Sequence, residues 1–135
     1  LADTHMRQLL EQLVQSFASR GLVDTSLIVE GDEIDIVLDI KIAFYRIAQE
    51  AINNAIQHAN ADHIEVKFIV TAQHYTLSIH DNGQGFDTHI QRPGHMGLHI
   101  MQDRAIAIAA HLQIDSNAGE GTQIQVTYER NKETT

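Results

Sequence analysis

Four short stretches of this chain hold residues whose types and spacing suit chemistry. The first is IAQEAINNAIQHA, starting at Ile47. Wound as a helix at roughly 100° per residue, it brings Glu50, Asn54 and Gln57 within about 60° of one another. Phe44, Ile47, Ala48, Ala51, Ala55 and Ala59 fill the neighbouring arc. A carboxylate and an amide one turn apart, at the edge of a core, suit an oxygen-ligated Mg²⁺ that keeps several waters. The same residues also read as a solvated helix face. The second stretch is DNGQGF, Asp81 to Phe86, directly after a run of alternating hydropathy. Its two glycines let the backbone turn sharply and approach a ligand closely. A carboxylate at a strand end can accept a hydrogen bond from an exocyclic amine such as that of adenine. The plainer reading is a turn after a strand, since Asn-Gly is a common turn dipeptide.

The third stretch, GHMGLHIM from Gly94 to Met101, puts two glycines at the start of a predicted helix. Free N–H groups there, approached over small residues, make an anion site. Phosphate is the natural anion, because no cluster of Lys or Arg would otherwise neutralise it. A loop running into a helix reads equally well. The fourth, GEGT from Gly119 to Thr122, is by itself a tight hairpin turn. Thr122 adds a hydroxyl that suits a water network beside a base.

The elements that must position these residues follow from periodicity. Met6, Leu9, Leu10, Leu13, Val14 and Phe17 recur at helical spacing, with Gly21 as a stop. Leu27 to Val29 is a short strand candidate ended by Gly31. Asp39 is placed to cap a long helix reaching about Ala59. Ile64 to Val70 and Tyr75 to His80 alternate as strands, and the short polar link near Gln73 and His74 makes them a hairpin. Leu98 to Ala110 is a second long helix. Leu112 to Asp115 and Ile124 to Tyr128 are strands around the Gly119–Gly121 turn. Adjacent strand pairs broken by helices predict an α+β two-layer sandwich, a mixed sheet with helices on one face. A doubly wound parallel sheet would alternate strand and helix throughout, and does not fit.

At 135 residues the chain is one domain. It has no Cys, which excludes a disulfide scaffold and is compatible with the cytoplasm. Nine Lys plus Arg against 18 Asp plus Glu give a net charge of −9. That argues against a nucleic-acid binder, which needs basic surface. No apolar run approaches a membrane span and no signal peptide opens the chain. The first residue is Leu, so the chain reads as a piece of a longer protein. Among nine His, His95 and His99 share a helix face but lack a third ligand nearby, and His58 and His63 lack that spacing. A structural metal site is not expected.

No single stretch is decisive, but their order and spacing resemble the N box, the two glycine boxes and the closing Gly-Thr of the GHKL ATPase superfamily. That superfamily holds histidine kinases, gyrase-type ATPases, a heat-shock chaperone and mismatch-repair ATPases. The resemblance spans about Asp39 to Tyr128. It is closest to sensor histidine kinases of the nitrate-sensor and lipid-fluidity-sensor type, in Gln49–Ala59, Asp81–Phe86, Gly94–Ala105 and Gly119–Thr122. It implies the Bergerat ATP-binding fold, ATP and Mg²⁺ as cofactors, and transfer of the γ-phosphoryl group to a histidine. Asn54 would ligate the Mg²⁺ that bridges the phosphates. Glu50 would be catalytic, as a base toward the attacking imidazole. Asp81 would bind the adenine amine, and Gly83 and Gly85 would shape its pocket. Gly94, His95, Met96, Gly97 and Leu98 would form the lid and the phosphate-binding turn. Thr122 would sit near the adenine, and His58 would face the nucleotide.

Two features depart from the pattern. Gln57 stands where this subgroup often has Lys, so one phosphate-neutralising charge is missing there or is supplied elsewhere, with Arg92 a candidate. The lid between Gly85 and Gly94 is short. The family's phosphoacceptor resembles a His followed by an acidic residue inside an amphipathic helix, and none of the nine His is read as that acceptor; His5 is followed by Met6. The acceptor is therefore expected on a separate helical dimerisation domain of the same protein. Residues 1–22 would be a leading helix after that hairpin, 23–130 the ATP-binding catalytic domain, and 131–135 a disordered tail. The resemblance implies an isolated domain that is a monomer, a homodimeric full-length protein and a response regulator served indirectly. It also implies a cytoplasmic location, with an inner-membrane anchor elsewhere left open. Rival readings are a serine kinase of the anti-sigma type on the same fold, a non-catalytic nucleotide sensor, and a ligand-free interaction domain.

Overall fold

A computed structural model describes residues 4–21, 23–32, 36–85 and 96–130, with only the helical backbone of residues 96 and 97. In chain order the elements are α1 (Met6–Ala18), β1 (Asp24–Glu30), α2 (Leu38–Gln57), β2 (His63–Val70), β3 (His74–Asp81), α3 (Met96–Ala107), β4 (His111–Ser116) and β5 (Thr122–Glu129). The strands form one sheet in the order β1-β2-β3-β5-β4. β1 runs parallel to β2, and the other pairs are antiparallel. The expected mixed sheet and two-layer α+β architecture are therefore what the chain forms.

Strand alternation decides which face is covered. Ile64, Val66, Phe68 and Val70 of β2, Tyr75, Leu77 and Ile79 of β3, and Ile124, Val126 and Tyr128 of β5 are buried. The residues between them, among them Lys67, Ser78 and Gln125, lie on the opposite, wetter face. α2 supplies the other half of the core through Ile40, Phe44, Ile47, Ala48, Ala51, Ile52 and Ala55. α1 adds Met6, Leu9, Leu10, Leu13 and Phe17 to the same cluster. Phe44 is fully buried, and its ring meets Phe68 edge-on at 6.1 Å. Phe44→Ala is expected to cost about 3–5 kcal/mol, a large share of the stability of a domain this size. Urea unfolding would show it as a lowered midpoint with an unchanged slope.

Several element boundaries differ from expectation. Asp39 does not cap α2. The capping position is Val37, which makes no side-chain cap bond, and Asp39 lies inside the first turn. Its carboxylate there complements the positive helix end instead of accepting a capping bond. α2 also stops at Gln57, short of Ala59. Asn60 takes φ 52, and the Ala61 N–H donates back to the Ala55 carbonyl at 3.1 Å, closing the helix end. α3 begins at Met96 rather than Leu98 and ends at Ala107 rather than Ala110. Ala109 takes φ 57, and the Ala110 N–H returns to the Ala105 carbonyl at 2.8 Å. Among the described residues no helix is long and apolar enough to cross a membrane, and no group of three or more His, Asp or Glu is placed to hold a metal. The predicted tail, 131–135, lies outside the described residues.

Candidate active site

The site begins with a strand position that carries the wrong chemistry for a core. Alternation along β3 sends Tyr75, Leu77, Ile79 and then Asp81 to the covered face. Asp81 is consequently buried, at 5% exposure. The register sets Thr122, first residue of β5, directly beside it; its inward side chain is also buried. Above them runs α2, with Ala51 and Ala55 one turn apart on this side and Ala59 following just past the helix end. Methyl groups cannot fill the space between helix and sheet. A cleft of about 430 Å³, counting the part open to solvent, remains there. It is lined by Ala51, Asn54, Ala55, His58 and Ala59 of the α2 side, Asp81 and Gly85, Leu98 of α3, and Thr122 and Ile124 of β5.

The loop after β3 is fixed on both sides. The Gly83 N–H donates to Asp81 Oδ1 at 2.8 Å, and the Gln84 N–H donates to the Ala59 carbonyl at 2.8 Å. A Cβ at Gly83 would come within 2.6 Å of the Ala59 carbonyl oxygen and 2.7 Å of its Cβ. Only glycine lets the loop lie this close to the end of α2. Gly85 has φ +67, and a side chain there would strike the Asn117 carbonyl oxygen. The Gly119 N–H meanwhile donates to the Gln84 carbonyl. The glycine loop and the β4–β5 turn are thus packed backbone against backbone. Asn82 completes the frame. Its Oδ1 accepts the N–H groups of Asp62 and His63, each at 2.9 Å.

Burial pushes the Asp81 carboxyl above its ordinary value of 3.8. The Gly83 amide, the nearby His80 and the Thr122 amide pull the other way without cancelling it. A buried acid with Oδ1 engaged by the Gly83 amide, at the wall of the cleft, has an acceptor to offer a ligand.

The cleft brings together Asn54, His58, Asp81, Gly85, Leu98 and Thr122 of the residues expected from sequence, with Gly83 shaping its wall. Glu50 lies one turn before Asn54 on the same helix, half-exposed and outside the lining set. Met96, Gly97 and Leu98 are the first turn of α3. Gly94 and His95, with Arg92, lie outside the described residues. Two contributions were not expected from the sequence. Asn82 looked like half of a turn dipeptide, and its bracket to β2 requires the strand pairing to be known. Ile124 reads as ordinary core and becomes a cleft wall only because the alanines opposite it are small.

Residues 39–132 match the family described as histidine kinase-, DNA gyrase B- and HSP90-like ATPase. An uncharacterized sensor-like histidine kinase of Chloroflexus aurantiacus is 35% identical over 126 residues, covering 87% of this chain and 21% of the relative. The sensor protein VraS of Staphylococcus epidermidis is 30% identical over 133 residues, covering 98% of this chain and 38% of the relative. The chain thus spans between about a fifth and two fifths of the length of these relatives. The blue-light activated histidine kinase of Erythrobacter litoralis superposes with a TM-score of 0.76 at 17% identity, over 97% of this chain and 47% of that one, a likeness of fold. With all four motif stretches inside the matched residues 39–132, the chain belongs to the histidine kinase-, DNA gyrase B- and HSP90-like ATPase family.

Proposed function

We propose that this chain is the ATP-binding catalytic domain of a sensor histidine kinase, which passes the γ-phosphoryl group of ATP to a histidine on a separate helical dimerisation domain of the same protein. The observation that carries this reading is the shared cleft: the Asn54 amide on α2 and the buried Asp81 carboxylate on β3 line one cavity. The purine end is the Asp81 side. The carboxylate accepts from the exocyclic amine, Gly83 and Gly85 leave room for the ring, and Ala55 and Ile124 cover its faces. The phosphate end is the Asn54 side, with His58 at the rim and the first turn of α3 offering backbone N–H groups.

The residues present fit magnesium as a phosphate-bound ion with one protein ligand. Asn54 offers an amide oxygen, and no cluster of carboxylates surrounds it among the described residues. Mg²⁺ there would neutralise phosphate charge as the bridging oxygen of the γ-phosphoryl group leaves with ADP. Glu50, partly buried one turn along the same helix, would take the proton from the imidazole whose nitrogen attacks phosphorus. His58, Met96, Gly97 and Leu98 orient the triphosphate, and Gly94 and His95 are assigned the same task by resemblance. The remainder of the protein would be a homodimer through its phosphoacceptor hairpin, working beside cytoplasmic response regulators, in the manner of the nitrate-sensor and lipid-fluidity-sensor type.

The test is to mix this chain with the phosphoacceptor domain of its own full-length protein, radiolabelled ATP and Mg²⁺. An acid-labile, base-stable label on the acceptor domain is expected. An acid-stable label indicates a serine kinase on this fold, and ATP binding with no label on any partner indicates a nucleotide sensor. Either outcome overturns the histidine kinase reading.

A further inference from the structure

A second hydroxyl stands directly behind Thr122. Ser116 is the last residue of β4 and the register partner of Thr122. Both side chains are buried, at 9% and 5% exposure. Their oxygens are 2.7 Å apart, and Ser116 Oγ also lies 3.3 Å from the Gly121 carbonyl oxygen. The first distance is near the optimum for O–H···O, and the second is long.

Each hydroxyl owns one proton, and two arrangements of this pair bear on the cleft. In one, Ser116 gives its proton to the Gly121 carbonyl and accepts that of Thr122. Thr122 then shows only lone pairs to the cleft. In the other, Ser116 gives its proton to Thr122 Oγ1 across the short contact, and the Thr122 proton turns into the cleft as a donor. A ligand presenting an acceptor beside Thr122 selects the second arrangement, because it exchanges the long bond to Gly121 for a new one.

We propose that Ser116 is a positioning residue that sets the Thr122 hydroxyl as a hydrogen-bond donor, so that Thr122 and Asp81 together read an amine adjacent to a ring-nitrogen acceptor. That pair is the edge of a 6-aminopurine. A 6-oxopurine shows the reverse pattern, a carbonyl against the Asp81 carboxylate and an N–H against the Thr122 donor. A site built to bond a polar group rejects analogues that leave its buried groups unpaired. This specificity role rests on the ATP-site reading above.

The experiment measures binding of ATP and of 1-deaza-ATP, which keeps the amine and lacks the adjacent ring acceptor, by calorimetry with Mg²⁺. The wild-type chain is expected to prefer ATP by about five- to tenfold. In Ser116→Ala that preference falls to about twofold or less, and in Ser116→Thr, which restores a hydroxyl, it returns. Thr122→Val also erases the preference, and adding Ser116→Ala to it changes nothing further. Equal weakening of both nucleotides by Ser116→Ala, or an undiminished preference, overturns the assignment while leaving the ATP site standing. Absence of ATP binding by the wild-type chain, or ATP affinity indifferent to Asp81→Asn, removes the site and this role with it.

Discussion

Asp81→Asn is expected to weaken ATP binding by more than about a hundredfold while leaving the domain folded and no less stable at neutral pH. The replacement is nearly isosteric, and its carbonyl can still accept the Gly83 N–H that Asp81 Oδ1 accepts at 2.8 Å. Its NH₂ group then points where the second carboxylate oxygen was. A donor would face the exocyclic amine, itself a donor. Losing a charge-assisted bond and opposing two donors in a buried site costs roughly 3–5 kcal/mol, which sets the hundredfold floor.

Stability moves the other way because of the sign of the pKa shift. The folded-state carboxyl titrates above its ordinary 3.8 because it is buried. The native state therefore holds this proton more tightly than the unfolded chain does. The resulting stabilisation is complete below the unfolded pKa and is lost as pH rises through the folded one. Above the folded-state pKa the wild type carries a desolvated carboxylate, and Asn removes it. Differential scanning calorimetry at pH 7 should give Asp81→Asn a melting temperature equal to or above that of the wild type. ATP affinity of the wild type should climb as pH rises through the raised pKa and then level off. In the variant that climb is absent. A variant that binds ATP normally, or melts well below the wild type at pH 7, contradicts the role given to Asp81.

The second large effect belongs to the other end of the cleft. Asn54→Ala removes the side-chain oxygen assigned to magnesium and leaves the purine wall intact. The gain in ATP affinity produced by Mg²⁺ is expected to fall by about two orders of magnitude, and phosphotransfer to the acceptor domain with it. Adenosine, which has no phosphate to share a metal, should bind wild type and variant equally. Asn54 is only partly buried, so truncation opens no core cavity and the fold should persist. If Mg²⁺ enhances ATP binding equally in both proteins, Asn54 is not the metal ligand. If adenosine binding falls as well, Asn54 shapes the cleft as a whole.

Much of this was legible before any coordinates. Alternation in β2 and β3 is a period-two signal fixed by local stereochemistry, and it foretold which residues would be buried. Helical spacing in α1 and α2 did the same. The pairing of Asn54 with Asp81, 27 positions later, followed from resemblance rather than from either stretch alone. Element ends were less legible, because they depend on single residues leaving regular geometry. Asn60 and Ala109 take left-handed φ without being glycine, and a propensity argument does not anticipate an alanine there.

The sequence by itself determined the polarity of each strand and helix face, the positions where the backbone must lack a side chain, and the acid that ends β3, since these are properties of residue type and spacing. Tertiary structure alone decided that Ala51, Ala55 and Ala59 line one cleft with Ile124, that Asn82 ties its loop to the start of β2, and that Ser116 stands behind Thr122. Each of these depends on strand order and register, which bring together residues from separate elements, and no local periodicity encodes that distance.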